Sequence, residues 1–150
     1  VLEALARATG VAESGRVIAG IASLLGCDMT RLAVLDRATD RLRTVPVERA
    51  ESVTTWAVNE APTAALVVDT QVLGQVLAST ICPDAGERHL LARAGSRSLL
   101  MLPLVSAGRT VGLMACFRRH ERPWSRTELR SARTFAAAAG PVLASLATVG

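Results

Sequence analysis

The residues that could do chemistry are few and far apart. The thiols are Cys27, Cys82 and Cys116, and the imidazoles are His89 and His120. A zinc site needs closely spaced Cys or His pairs, and neither CxxC nor a Cys/His ligand spacing occurs. The expectation is three buried, reduced thiols in a cytoplasmic protein, and no metal. A GxSxG nucleophile elbow, an HExxH helix and a phosphate-binding loop are all missing. Asp69 and Asp84 read as a strand end and a turn, not as an acid pair. The segment is therefore expected not to be an enzyme.

The remaining polar chemistry is arginine. All seventeen basic residues are Arg, and the formal net charge is +4. The aromatics are Trp56, Phe117, Trp124 and Phe135. A nucleic-acid module gathers Arg on one face with aromatics nearby, and this chain spreads its Arg over loops and helix surfaces, so no direct nucleic-acid contact is expected. The densest cluster, Arg118, Arg119, His120, Arg122 and Arg126, reads as a solvated loop entering a helix. Arg126, Arg130 and Arg133 continue it along one helix face, where an acidic partner could dock. Arg93 and Arg97 flank Gly95 and could grip an anion by bidentate contacts. Solvated or salt-bridged surface arginine is the commoner case.

These side chains must be positioned by a scaffold, and the last third of the chain describes it best. Leu99 to Val105 and Thr110 to Phe117 are strand-length and apolar at both odd and even positions, which predicts two neighbouring strands covered on both faces. Ser106, Ala107 and Gly108 supply the turn, with Gly108 as the positive-φ residue. Pro103 cannot donate to a ladder and marks an edge or a bulge, and Gly112 opposite marks an irregularity or a close approach. Pro123 stops the second strand. Ser125 as N-cap and Glu128 at N3 form a capping box, and Trp124 and Leu129 a hydrophobic staple. Leu129, Ala132, Ala136, Ala139, Leu143 and Leu146 then recur as one helical stripe, with Phe135, Ala138 and Val142 beside it. Gly140 and Pro141 predict a kink or break.

Upstream the pattern is looser. Residues 1–9 and 13–25 read as helices, the second capped by Gly26. Met29 to Asp36 is a strand, paired through a turn at 37–40 with an edge strand over 41–48. Ser52 to Asn59, carrying Trp56, reads as a short helix broken at Ala61 and Pro62. Ala64 to Asp69 reads as a short strand, Gln71 to Ser79 as a helix or ordered loop, and Glu87 to Ala94 as a short helix ended by Gly95. The sum is an α+β domain with a mostly antiparallel sheet. At 150 residues, half of them apolar, it is one domain with a substantial core. The longest uncharged apolar run, 135–150, is too short and too rich in small residues to span a bilayer, so no membrane is expected. The chain lacks a secretory signal and begins at Val, and is expected to be part of a longer protein.

The stretch RSLLMLPLVSAGRTVGLMACF followed by WSRTELRSARTFAAAAG resembles the end of a GAF domain. The resemblance rests on Pro103, Leu104, Gly108, Val111, Gly112, Leu113, Ser125 and Glu128. LLGCDMTRLAVLDRATDRL is similar to that family's first helix and hairpin, and Asn59 to Pro62 with Val67, Val68 and Asp69 to its middle strand. The resemblance implies a central antiparallel sheet of five to six strands with the terminal helices on one face. On the other face, residues 52 to 97 would roof a small-molecule pocket. It also implies a sensory role, with ligand binding regulating an attached signalling or transcriptional output domain of a bacterial protein. The expected lining is Trp56 in the roof, Arg93 and Arg97 at the mouth, and Met114 and Cys116 on the floor.

The cofactor stays unknown. Bilin attachment is not expected, because Cys82 lies too far upstream of Gly95, His89 is misplaced and Leu90 stands where that subclass has Tyr. Haem is not expected either, since His89 falls a few residues early when counted back from Pro103. Sulfoxide-reducing relatives need several cysteines in the roof, where only Cys82 falls. The alternative reading is a ligand-free interaction module acting through its terminal helices, in which the Leu129–Leu146 stripe pairs with its twin in a homodimer or with residues 1–9.

Overall fold

Strand β1, Met29–Asp36, forms where apolar residues fill both registers. Arg41–Thr44 returns as β2 after a turn at 37–40, in which Ala38 N–H is held by Asp36 Oδ1 and Asp40 takes a φ of 52°. Strands β3 (Thr55–Ala57), β4 (Gly74–Leu77), β5 (Ser98–Ser106) and β6 (Arg109–Arg118), with helices α1 (Pro62–Thr70) and α2 (Arg126–Val149), follow among the described residues. The structure is a computed structural model. It describes residues 25–44, 55–57, 62–77, 91 and 95–149, with side chains for all of these except 55–57 and 145–149. The helices expected over 1–9 and 13–25 lie outside the described residues except for Leu25, as does the one over 87–94 except for Leu91, which is helical. Among the described residues no helix is long and apolar enough to cross a membrane.

The strands form one antiparallel sheet in the order β3-β2-β1-β6-β5-β4. Its centre is the β1–β6–β5 trio, with Leu32 opposite Met114 and Leu102 opposite the same residue. Alternation sends Leu100, Leu102, Leu104, Met114 and Cys116 to one face, against Trp124, Phe135, Ala139 and Leu143 of the α2 region. It sends Leu99, Met101, Leu113 and Phe117 to the other, against Ala64 and Val67 of α1 and Leu91. Both faces of the central hairpin are covered, as its sequence requires.

The β5–β6 turn has two residues, Ala107 at φ 53° and Gly108 at φ 75°, so both central positions are left-handed as in a type I′ hairpin. Pro103 is accommodated by parity. Ser106 closes the hairpin toward β6, so by alternation Pro103 addresses the opposite side, where pairing with β4 stops at Met101. The expected irregularity is a register shift between Leu104 and Val105. Gly112 sits at it because a Cβ there would stand 2.2 Å from the Ala33 carbonyl oxygen.

Several readings from the sequence are corrected. Residues 64–69 are helix, not strand: Pro62 begins α1, where a missing N–H costs nothing, and only Ala64 and Val67 are buried, one turn apart. Gln71, at φ 57°, ends it, its N–H returning to Val67 O at 2.9 Å. The apolar run after it is the edge strand β4. Trp56 lies in a strand, not a helix, because β3 pairs with β2. That pairing also makes β2 an inner strand, so the edge falls at β3.

Helix α2 runs through Gly140 and Pro141 without a break. Pro141 and Ala137 are exposed, so the carbonyl that proline leaves unpaired meets water. The stripe expected to form a dimer is already occupied. Ala132, Ala136, Ala139 and Leu143 are buried and Leu129 half-buried against the protein's own sheet. Leu146 lies in α2, with its side chain outside the described set. Of the second stripe, Phe135 joins the same core, while Ala138 is exposed.

Candidate functional site on the sheet

The face opposite α2 is the one that α1 covers. Helix α1 packs on β4, β5 and β6 there. Thr110 Oγ1 donates to Val68 O at 2.8 Å, and Gln71 Nε2 donates to Gly108 O at 3.0 Å, tying the helix to the hairpin. Gly74 lets β4 come close, since a Cβ there would lie 2.6 Å from Thr63 Cγ2. Beyond α1's footprint, β1 presents Met29, Ala33 and Leu35 to the same face.

Arg31 stands in that series. It alternates with Thr30 and Leu32, so it shares the face of Met29, Ala33 and Leu35. It is half-buried and directly opposite Ala115. Ala115 is opposite Met101, and Met101 opposite Gly74, which makes a row Arg31–Ala115–Met101–Gly74 across four strands. The neighbouring row pairs Ala33 with Leu113 and with Thr44. Arg31 thus places a guanidinium beside small Ala33 and Ala115 on a mostly apolar sheet face, a chemistry that can grip an anionic group by bidentate contacts. The sequence reading passed over Arg31. Its signal was present: one charge in the inward register of a strand apolar on both faces.

Among the described residues, Met114 and Cys116 lie apart from Arg97. Met114 and Cys116 are fully buried on the opposite face, under α2. Arg97 is exposed, its side chain 3.8 Å from Glu121 Oε2, and its N–H donates to Arg118 O. An exposed pair of this kind contributes ~0–1 kcal/mol. Trp56 sits opposite Leu42 in the β2–β3 register, and its side chain lies outside the described set. Arg93, Cys82 and His89 also lie outside the described residues. Among the described residues no cluster of three or more His, Cys, Asp or Glu could hold a metal ion.

A second polar feature holds the two ends of the scaffold. Arg118, read from the sequence as part of a solvated loop, is the last residue of β6 and is buried. Its Nε donates to Gly26 O at 2.9 Å, and its Nη1 to Arg122 O and Pro123 O at 3.3 Å. Its Nη2 pairs with Glu128 Oε2, and its Cζ lies 4.3 Å from the centre of the Trp124 ring. The loop ahead of α2 curls around the guanidinium because its carbonyls are the acceptors. Glu128 also completes the capping box, accepting from Ser125 N–H at 2.8 Å while its own N–H donates to Ser125 Oγ at 3.1 Å. Arg119, His120, Arg122 and Arg126 are exposed, as expected.

Burial alone would raise the Glu128 pKa. The Ser125 hydrogen bonds and the charges of Arg118 and Arg122 overcome it and hold the carboxyl below its ordinary 4.5. A folded-state pKa below the unfolded one contributes stability that is complete above 4.5 and lost as pH falls through the depressed value. Glu128→Gln should therefore be less stable at neutral pH by about 1–2 kcal/mol and show a shallower loss of stability in acid. Urea unfolding of both proteins from pH 7 down to pH 3 measures it. Parallel acid profiles would show that this carboxylate carries no linkage.

The sequence matches the GAF domain family over residues 3–143. The chain belongs to the GAF domain family. The fold agrees with solved structures of that architecture. The GAF domain of a phosphoenolpyruvate-protein phosphotransferase from Coxiella burnetii is similar with a TM-score of 0.80 at 14% identity, over 99% of this chain and 90% of that one. A methyl-accepting chemotaxis protein is similar with a TM-score of 0.75 at 16% identity, covering 99% of this chain and 97% of that one. Free methionine-R-sulfoxide reductase from Neisseria meningitidis, solved with its substrate, gives 0.72 at 19% identity, covering 99% and 87%. Identities this low speak for the fold alone. No curated protein matches the chain. GAF domains are typically small-molecule-sensing regulatory domains.

Proposed function

We propose that this GAF domain is a non-catalytic sensory module that binds a small, largely apolar molecule bearing a carboxylate or phosphate, and that its occupancy regulates an attached output domain. Arg31 carries the reading. A charged side chain costs free energy on an apolar sheet face, and a guanidinium has five donors, enough to serve a protein partner on one edge and an anionic ligand on the other. The ligand's apolar part would lie on Ala33, Leu113 and Ala115, beside α1. The thiols do not support a reductase reading among the described residues, because Cys27 and Cys116 belong to the α2 side. A homodimer that meets on the described part of α2 would use its outer face, at Ala137, Ala138 and Pro141, since the inner stripe is taken.

A thermal-shift screen of small carboxylates and phosphates on the wild-type domain and on Arg31→Met tests the proposal. A ligand at a hundred times its Kd adds about 2.7 kcal/mol. The expected result is a compound that stabilises the wild type and not the variant. A compound stabilising both equally, or no stabilisation by either class, would end the reading.

A further inference from the structure

The proposed ligand face leaves one pair of nucleophiles unused. Cys27 and Cys116 are both buried in the core beneath α2. The register brings them together. Cys116 is opposite Thr30 across β1–β6, and Thr30 Oγ1 lies 3.2 Å from Cys27 Sγ. One residue on, Asp28 N–H donates to Phe117 O at 2.8 Å and presses the 26–28 turn against the end of β6. Each thiol is the largest influence on the other's acidity. Gly26 and Asp28, on either side of Cys27, are exposed, so a small solute can reach the turn.

We propose that Cys27 and Cys116 are a reversible oxidation site, closing to a disulfide when the domain meets a hydroperoxide. The two sulfurs have different parts. The Cys116 thiol, helped by Thr30 and the Arg118 charge, lowers the Cys27 pKa to about 7 against burial and Asp28. The Cys27 thiol, together with burial, pushes Cys116 up. Cys27 is the attacking thiolate and Cys116 the resolving thiol. The Cys27 sulfur takes the terminal peroxide oxygen, the O–O bond breaks, and the leaving hydroxide is protonated to water. The Cys116 sulfur then displaces hydroxide from the sulfenic sulfur, and its own proton leaves with that hydroxide as a second water. Two thiols are oxidised to one disulfide, and hydrogen peroxide is reduced to two waters. The bond would fix the 26–28 turn to β6 beside Arg118, which already holds Gly26 O, and so act on the contact from which α2 starts.

The test treats the whole chain, as wild type and as Cys82→Ser, with hydrogen peroxide and digests it without reductant. The expected product is a linked peptide pair containing Cys27 and Cys116, lighter by two hydrogens and released by dithiothreitol. In Cys116→Ser, Cys27 should instead accumulate as a sulfenic acid trapped by dimedone. If that variant does not fold, the wild-type peptide map decides alone. Thiols that stay unmodified in the native protein but react once it is unfolded would overturn the proposal. So would a bond from Cys27 to Cys82, or Cys116 oxidised ahead of Cys27.

Discussion

Arg118→Ala should destabilise the domain by about 5 kcal/mol in urea unfolding at neutral pH. The substitution removes donors to three backbone carbonyls, each hydrogen bond being worth about 1 kcal/mol net, and a desolvated cation–π contact worth about 2 kcal/mol. Glu128 loses less, because its side chain is 22% exposed against 4% for Arg118, so the orphaned carboxylate can hydrate. Arg118→Lys keeps the charge but not the planar fork, and should recover at most half of the loss. A loss below about 1 kcal/mol for the alanine variant would show that the guanidinium is a surface group after all.

Gly140→Ala should be destabilising by about 3 kcal/mol, against the ordinary direction for that exchange. In an exposed helix interior the change to alanine stabilises by ~1 kcal/mol, because it restricts the unfolded chain and improves propensity. Here an added Cβ would lie 2.2 Å from the Val105 carbonyl oxygen and 2.7 Å from its nitrogen. Neither is the end of a flexible side chain, so the helix must lift from β5. Lifting it opens the core around Ala136, Ala139 and Leu143. Thermal unfolding reads the sign directly, and a raised midpoint would mean that the helix does not rest on the strand at that point.

These two sites show what the sequence makes legible. The capping box is local chemistry, and Ser125 and Glu128 stand three residues apart whatever the rest of the fold does. Strands β1, β5 and β6 are legible because apolar residues in both registers leave few alternatives to a doubly covered strand. Residues 64–69 are not, since AALVVD is too short for periodicity to separate a strand from one turn and a half of helix. Gly140 looks like a breaker until the strand it must approach is known. Met114 and Cys116 fail for a related reason. Alternation tells that they share a face, but not which face α2 takes. Arg31 was hidden in a strand whose two apolar sets drew attention from the single charge in one of them. Arg118 looks like its exposed neighbours Arg119 and Arg122, and only the carbonyls of the returning loop distinguish it.

The strand order places β1 and β6, the first and last of the described strands, side by side at the middle of the sheet. During synthesis the amino-terminal hairpin therefore waits, with one edge open, until nearly the whole domain has left the ribosome. Closing so long a loop is a slow entropic step, and in that interval the apolar edge of β1 is the segment most in need of protection from neighbouring chains.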